Sequence, residues 1–348
     1  MRRHFLEKPK SAEMHAALSR FQSGLYEHAG VQFLSILRKD PADKEALFFL
    51  RLVERRLDRK VQRPPPTLIW QFNPEGTWEG DWIRRLFGGI IGNEIVDTQW
   101  SQTAESMIVV DNRLVEAKLP YYAAAFERGC RIVLIHLSDE AFRDDTSAYP
   151  YCDAVIRNYY SELLADAARV HFFPLGYKTG FATGALHKSA PAQKYLWSFA
   201  GDPKKTTRTE MLAAMESLGG GFKHLTSDFN SADALPVSAY RALMDESIFI
   251  PCPSGWSNLD SFRVYEALEA GCIPIVEKRP NFDYFARLCG PHPLPTVSTW
   301  SEVPALIQRL QADGSVEALR QTCAEWWTSY VPALKQSLEK TVKDAMAL

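Results

Sequence analysis

The sequence lacks any apolar run approaching about 18 residues, any Cys-x-x-Cys, any Asp-x-Asp and any excess of basic charge. Each absence excludes a class. Without a long apolar run no transmembrane segment is expected. The polar opening MRRHFLEKPKSAEMH lacks the hydrophobic stretch of a signal peptide. The six cysteines (Cys130, Cys152, Cys252, Cys272, Cys289, Cys323) stand singly, several within apolar runs, as small core residues do. Neither a zinc site nor a disulfide framework is expected from such spacing. With 40 basic and 42 acidic residues the net charge is −2, which provides no field for gathering nucleic acid. The expectation is a cytoplasmic chain, free or peripheral to the membrane.

What is present is ordinary globular material. Of 348 residues 46% are hydrophobic and 24% charged, enough for large cores, and the length allows two to three domains of roughly 100–200 residues each. Nine tryptophans fit large cores or sugar-stacking surfaces equally well.

Along the chain, residues 11–60 read as helices. In GLYEHAGVQFLSILRKDP the positions of Gly24, Tyr26, Ala29, Phe33, Ile36 and Pro41 resemble the second half of a tetratricopeptide repeat. One repeat cannot stand alone, so it is expected to dock on the remainder or on a protein partner. RPPP (63–66) then breaks the helical pattern. Apolar runs TLIWQF, SMIVVDN, CRIVLIHLS, DAVIRN and VHFFPLG follow, alternating with helical segments. A second such series begins at KYLWSFAG and runs through FKHLTSD and SIFIPCP to CIPIVE. Strands this continuously apolar are buried on both faces of a parallel sheet. The expected fold is therefore α/β, with two Rossmann-like, doubly wound domains facing across a cleft and a small α-helical segment in front. The expected boundaries are 1–62 for the helical segment, 63–190 and 191–325 for the two sheets, and 326–348 for a last helix. FGGIIGN (87–93) lacks a preceding strand and reads as a helix end, not a dinucleotide loop.

Ligands of such sheets lie beyond the carboxyl ends of strands. There, PSGWSNLDSFRVYEALEAG reads as a small-residue turn and a helix over about 259–270, capped by Ser257 or Asn258, whose first-turn N–H groups form an anion site. Arg263 and Glu266 fall on one face of that helix. They suit a diphosphate and a ribose respectively; the alternative is an intrahelical ion pair on a solvated face.

IFIPCPSGWSNLDSFRVYEALEAGCIPIVE resembles the donor-binding segment of the exostosin-like glycosyltransferases, which have the GT-B fold. WSFAGDPKKTTRTEML is similar to the family's strand–Gly–Arg element. IHLSDE, AVIRNYY and FFPLGYKTGF are closest to the branch that includes the ribitol xylosyltransferases. The resemblance covers about residues 105–280. It implies a donor set of Gly201, Arg208, Ser254, Gly255, Asn258, Ser261, Arg263 and Glu266, with Arg208 reaching the diphosphate. Retaining GT-B enzymes commonly carry a glutamate eight residues before the equivalent of Glu266; here that place is Asn258, which favours inversion. Glu269 and Glu277 repeat the spacing at the wrong points of the helix–strand unit.

An inverting transfer needs a general base and stabilisation of the leaving diphosphate. Asp139 is the first candidate for the base and Glu140 the second, with helix capping as the competing role of each; Glu79 and Asp81 are rivals. His136, Ser138, Arg157, Asn158 and Lys178 are candidate acceptor or phosphate contacts. For Arg157 a buried inter-domain salt bridge is the competing role. Arginines and backbone N–H groups replace a metal, so neither metal nor cofactor is expected. The implied reaction moves a sugar from a nucleotide-diphosphate donor, with UDP the family-level expectation, to a glycan or polyol-phosphate acceptor, lipid-linked or free, in polysaccharide synthesis. The alternatives are another GT-B nucleotide-sugar enzyme (hydrolase or epimerase) and a non-catalytic scaffold.

Overall fold

The computed structural model describes residues 11–57, 63–165, 167, 169–182, 194–228 and 231–346. The opening ten residues, read for a leader, and the expected boundary at 190/191 lie outside these.

Three helices come first: α1 (Ala12–Gln22), α2 (Tyr26–Lys39) and α3 (Lys44–Leu57). The Ser11 hydroxyl caps α1 by accepting from the Met14 N–H at 3.1 Å. Phe33 stacks on Phe49 to join α2 to α3. The segment packs on the remainder of the chain: Leu52 and Val53 share a core with Ile69, Met107 and Ile132 of the first sheet. Arg55 pairs with the buried Asp153 at 2.6 Å, and Arg131 meets the same carboxylate from the sheet side.

The first sheet is built from β1 (Thr67–Trp70), β2 (Asn93–Val96), β3 (Ser106–Asp111), β4 (Arg131–His136), β5 (Ala154–Arg157) and β6 (Val170–Phe172). All pairs are parallel, in the order β2-β1-β3-β4-β5-β6. Helices α4 (Gly80–Phe87), α5 (Leu119–Glu127) and α6 (Glu162–Ala165) lie between strands. Every residue of β3, β4 and β5 is buried, which is why these strands read as unbroken apolar runs. Helix α4 ends at Phe87 with Gly88 as its cap, so FGGIIGN does close a helix. Strand β2 follows it without an apolar signature, because it is a largely solvated edge.

The second sheet comprises β7 (Tyr195–Gly201), β8 (Gly221–Leu225), β9 (Ser247–Cys252), β10 (Ile273–Glu277) and the two-residue β11 (Thr296–Val297), in the order β11-β10-β9-β7-β8 and again all parallel. Helices α7 (Arg208–Glu216), α8 (Val237–Asp245), α9 (Phe262–Glu269), α10 (Tyr284–Cys289) and α11 (Val303–Ala312) complete it. In each sheet the strand order reverses beside its first strand, between β1 and β3 and between β7 and β9. Such switch points open a crevice at the carboxyl ends of the strands.

The last helix, α12, is one element from Val316 to Met346; it begins ten residues before the expected 326. It leaves the second domain and returns to the first. Trp327 stacks on Trp82 of α4 (centroids 5.8 Å apart, planes 15° apart) and donates from Nε1 to Glu269 of α9 at 2.7 Å.

Candidate active site

The two switch points face one cavity of about 340 Å³ lined by both domains. On its second-domain side β7 ends at Gly201, whose φ is +144°; a Cβ there would lie 3.1 Å from Arg263 Nη2. Glycine thus admits the guanidinium, which donates to the Ala200 carbonyl at 2.8 Å. Arg208, the first residue of α7, donates to the Asp202 carbonyl at 2.9 Å. Arg263 also lies over the Phe199 ring, 4.6 Å from its centroid. The Nε atoms of both arginines and the Ser261 hydroxyl are buried without a hydrogen-bond partner. Burial, and then the neighbouring Arg263, pull the pKa of Arg208 down to about 10. Two guanidinium groups on one cavity wall, one buried and one half-buried, form a site whose electrostatics favour an anion. Buried Lys205 extends it, its ammonium 4.5 Å from the Trp256 ring centroid. Glu266 is buried on the same wall, accepting from the Lys178 N–H at 3.4 Å, and burial raises its pKa against the pull of Lys178 and Arg263.

The turn before α9 departs from expectation. The helix starts at Phe262, preceded by an extended Ser261 whose side chain makes no cap bond. The chain cannot coil earlier because buried Asp260 spans the domain seam, accepting from the Tyr265 hydroxyl at 2.7 Å and the Leu175 N–H at 3.3 Å. Asn258 therefore caps no helix; its Oδ1 accepts from the Asp260 N–H at 3.1 Å, and the residue is not in the cavity wall. Ser254 also lies outside that wall and donates to the Thr206 hydroxyl at 3.0 Å. In the turn ahead of the helix, the N–H groups of Ser257 and Asn258 hold the Glu140 carboxylate at 2.8 and 3.0 Å.

The first-domain candidates separate cleanly. Asp139 is buried away from the cavity; it accepts from the N–H groups of Arg143 (2.7 Å) and Asp144 (3.3 Å) and pairs with Arg157 at 3.1 Å. A carboxylate so engaged is part of a loop frame, not a base. Arg157 also donates to the Tyr149 hydroxyl at 3.0 Å, so its ion pair is buried as the competing reading required, but within one domain. His136 is enclosed by Tyr149 (2.7 Å) and Asp144 (3.0 Å). Asn158 accepts from the Ser138 N–H, and Asp81 from the Gly180 N–H at 2.8 Å. None of these five lines the cavity. Glu79, Ser138, Glu140 and Lys178 do. Glu79, at the start of α4, is buried, with the Ser138 hydroxyl 3.5 Å away, and burial raises its pKa to about 7. Of the four carboxylates weighed as a base, only Glu79 and Glu140 line the cavity, and Glu140 is engaged by the Ser257 and Asn258 amides.

Two residues in the cavity wall carry little sequence signal. Asp260, whose burial raises its pKa to about 7, sits in a stretch that reads as helix. Tyr159 is buried with a left-handed φ of 61°, a conformation no residue type announces.

Residues 187–347 match the family described as RXYLT1 C-terminal domain, which spans the second sheet and α12. The donor-side motifs fall inside this match and agree with the branch the sequence resembles; IHLSDE, AVIRNYY and FFPLGYKTGF lie outside it. No curated protein is similar in sequence. Among solved structures, Anabaena HepE in complex with UDP and glucose superposes with a TM-score of 0.52 at 9% identity, covering 80% of this chain and 99% of that one. A mutant O-GlcNAc transferase of Thermobaculum terrenum gives 0.51 at 12% identity, over 96% of this chain and 84% of that one. At such identities the likeness is one of fold: two parallel-sheet, Rossmann-like domains in the glycosyltransferase-like GT-B arrangement.

Proposed function

We propose that the protein is an inverting glycosyltransferase of the exostosin-like type that uses a nucleotide-diphosphate sugar, with UDP as the nucleotide. The observation that carries this reading is the opposition of Glu79, a buried carboxyl with a pKa of about 7, to the Arg208–Arg263 pair across one cavity. The arginines and Lys205 take the diphosphate, and Glu266 accepts from the ribose hydroxyls. Glu79 takes the proton of the acceptor hydroxyl as its oxygen attacks the anomeric carbon. The bond from that carbon to the β-phosphate oxygen breaks, and the electron pair leaves with the diphosphate. The developing charge meets cations already fixed in the cleft, so little reorganisation accompanies the transfer. Asn258, standing where retaining relatives place a glutamate, supports a single displacement with inversion. The acceptor is a glycan or polyol phosphate. Positive charge from arginine and lysine takes the place of a metal, so a chelator is expected to leave turnover unchanged.

The test is Glu79→Gln, which preserves shape and removes the base. UDP affinity should stay within about twofold while transfer falls roughly 10²–10⁴-fold. Transfer at the wild-type rate would remove Glu79 from the mechanism. Release of free sugar without an acceptor product would favour a hydrolase.

A further inference from the structure

The loop after β4 is built as a hook. Asp139 ties its base through Arg157 and the N–H groups of Arg143 and Asp144. Asp144 accepts in turn from the Leu114 N–H at 2.7 Å and faces His136 Nε2 at 3.0 Å. Ser138 and Phe142 flank the tip with left-handed φ values of 66° and 54°, which non-glycine residues keep only where their surroundings impose them. The tip is Glu140, and it reaches across the cleft. Its Oε1 accepts from Ser257 N–H at 2.8 Å and Asn258 N–H at 3.0 Å, and its carbonyl accepts from the Ser257 hydroxyl at 3.2 Å.

The receiving loop is shaped for this contact. Gly255 N–H donates to the Asn258 carbonyl at 2.9 Å, and Arg279 donates to the Ser257 carbonyl at 3.1 Å. A Cβ at position 255 would lie 2.5 Å from Glu140 Oε1, so a side chain there would collide with the carboxylate. The same loop holds Trp256 at the cavity wall, 68% exposed and set against Lys205. Elsewhere the domains are tied by Arg85 of α4 and Glu269 of α9 at 2.6 Å, with Trp327 on the same carboxylate oxygen.

We propose that Glu140 is a positioning residue: a clasp that gives its carboxylate to the Ser257 and Asn258 amides and so sets the separation of the two cleft walls. Opening the cleft breaks this clasp, while the Arg85–Glu269 tie persists as the fixed side. The kinetic part of the proposal rests on the transferase reading; the clasp itself does not. A carboxylate accepting two amide bonds is charge-assisted, and its two acceptor interactions need only one oxygen. Glutamine can therefore replace it, whereas a general base cannot be replaced in this way.

The experiment compares Glu140→Ala and Glu140→Gln by amide hydrogen exchange at Ser257 and Asn258, by UDP titration and by steady-state transfer. In Glu140→Ala, exchange at both amides should rise about tenfold, as expected for losing a charge-assisted bond. Transfer should fall roughly 100-fold through misplacement of Glu79, with UDP affinity within about twofold because its cradle lies in one domain. Glu140→Gln, which keeps an acceptor oxygen without the charge, should bring exchange back to within about threefold of the wild type and transfer to within about threefold. Unchanged exchange in Glu140→Ala would overturn the clasp. Protected amides with transfer abolished in Glu140→Gln would also overturn it, by making Glu140 the base. If the wild type transfers no sugar, the exchange data still decide the clasp, and the transferase reading fails separately.

Discussion

Glu79 and Asp139 are both buried acids in loops that follow strands, and their surroundings differ. Asp139 has two N–H donors and a guanidinium; Glu79 has the Ser138 hydroxyl at 3.5 Å and the charge of Lys178, which do not offset its burial. Burial raising Glu79 to about 7 predicts a pH dependence of kcat/KM that falls about tenfold per unit below pH 7 and flattens above it. The same shift bears on stability. Glu79 and Asp260 both have folded pKa values raised above their ordinary ones, to about 7. Their contribution is fully present below pH 4 and is lost as pH rises through 7. In urea unfolding, Glu79→Gln should therefore shrink the difference in stability between pH 5 and pH 8. Arg263→Ala should weaken UDP binding roughly 10- to 100-fold by calorimetry, the range for a hydrogen bond to a charged group. That Arg208, Arg263, Glu266 and Glu79 line one cavity was foreshadowed in the sequence by charges in or beside apolar elements. For Asp139 the sequence left capping and catalysis open, because a carboxylate that caps a loop and one that takes a proton occupy the same place after a strand; the structure shows it bonding loop N–H groups.

At the scale of elements, the strands were legible wherever both faces are buried, as in β3 to β5. Strand β2 was not, since an edge strand with Glu94 and an exposed Val96 shows no apolar run. The start of α9 was misplaced because Asp260 is held by partners from another element and another domain, which local spacing does not encode. The β4 hook was likewise invisible, since its ion pair joins residues 139 and 157 through tertiary structure. Its role predicts that Asp139→Asn lowers stability by roughly 3 kcal/mol in urea unfolding, by leaving Arg157 buried without its counter-charge. The acidic limb of the transfer pH profile should keep its midpoint, because Glu79 is untouched.

In the whole molecule, two sheets are joined by a helix that begins in one domain and ends in the core of the other. Trp327 is its anchor, stacked on Trp82 and bonded to Glu269, which is also the partner of Arg85. Trp327→Ala should cost about 3–5 kcal/mol by denaturant unfolding, the usual range for a buried aromatic. The two-domain architecture followed from the alternation of apolar runs and helices. The relative placement of the domains did not, because Glu140, Arg85, Asp260 and Trp327 act between segments far apart in sequence. The most direct measurement is a calorimetric titration of UDP, and then GDP, into the wild type and Arg263→Ala, with a chelator present throughout. Saturable binding of one nucleotide, weakened at least about tenfold in the variant, is the predicted result. Failure of both to bind, or equal affinity in the two proteins, would contradict the assignment of this cleft to a nucleotide-diphosphate sugar.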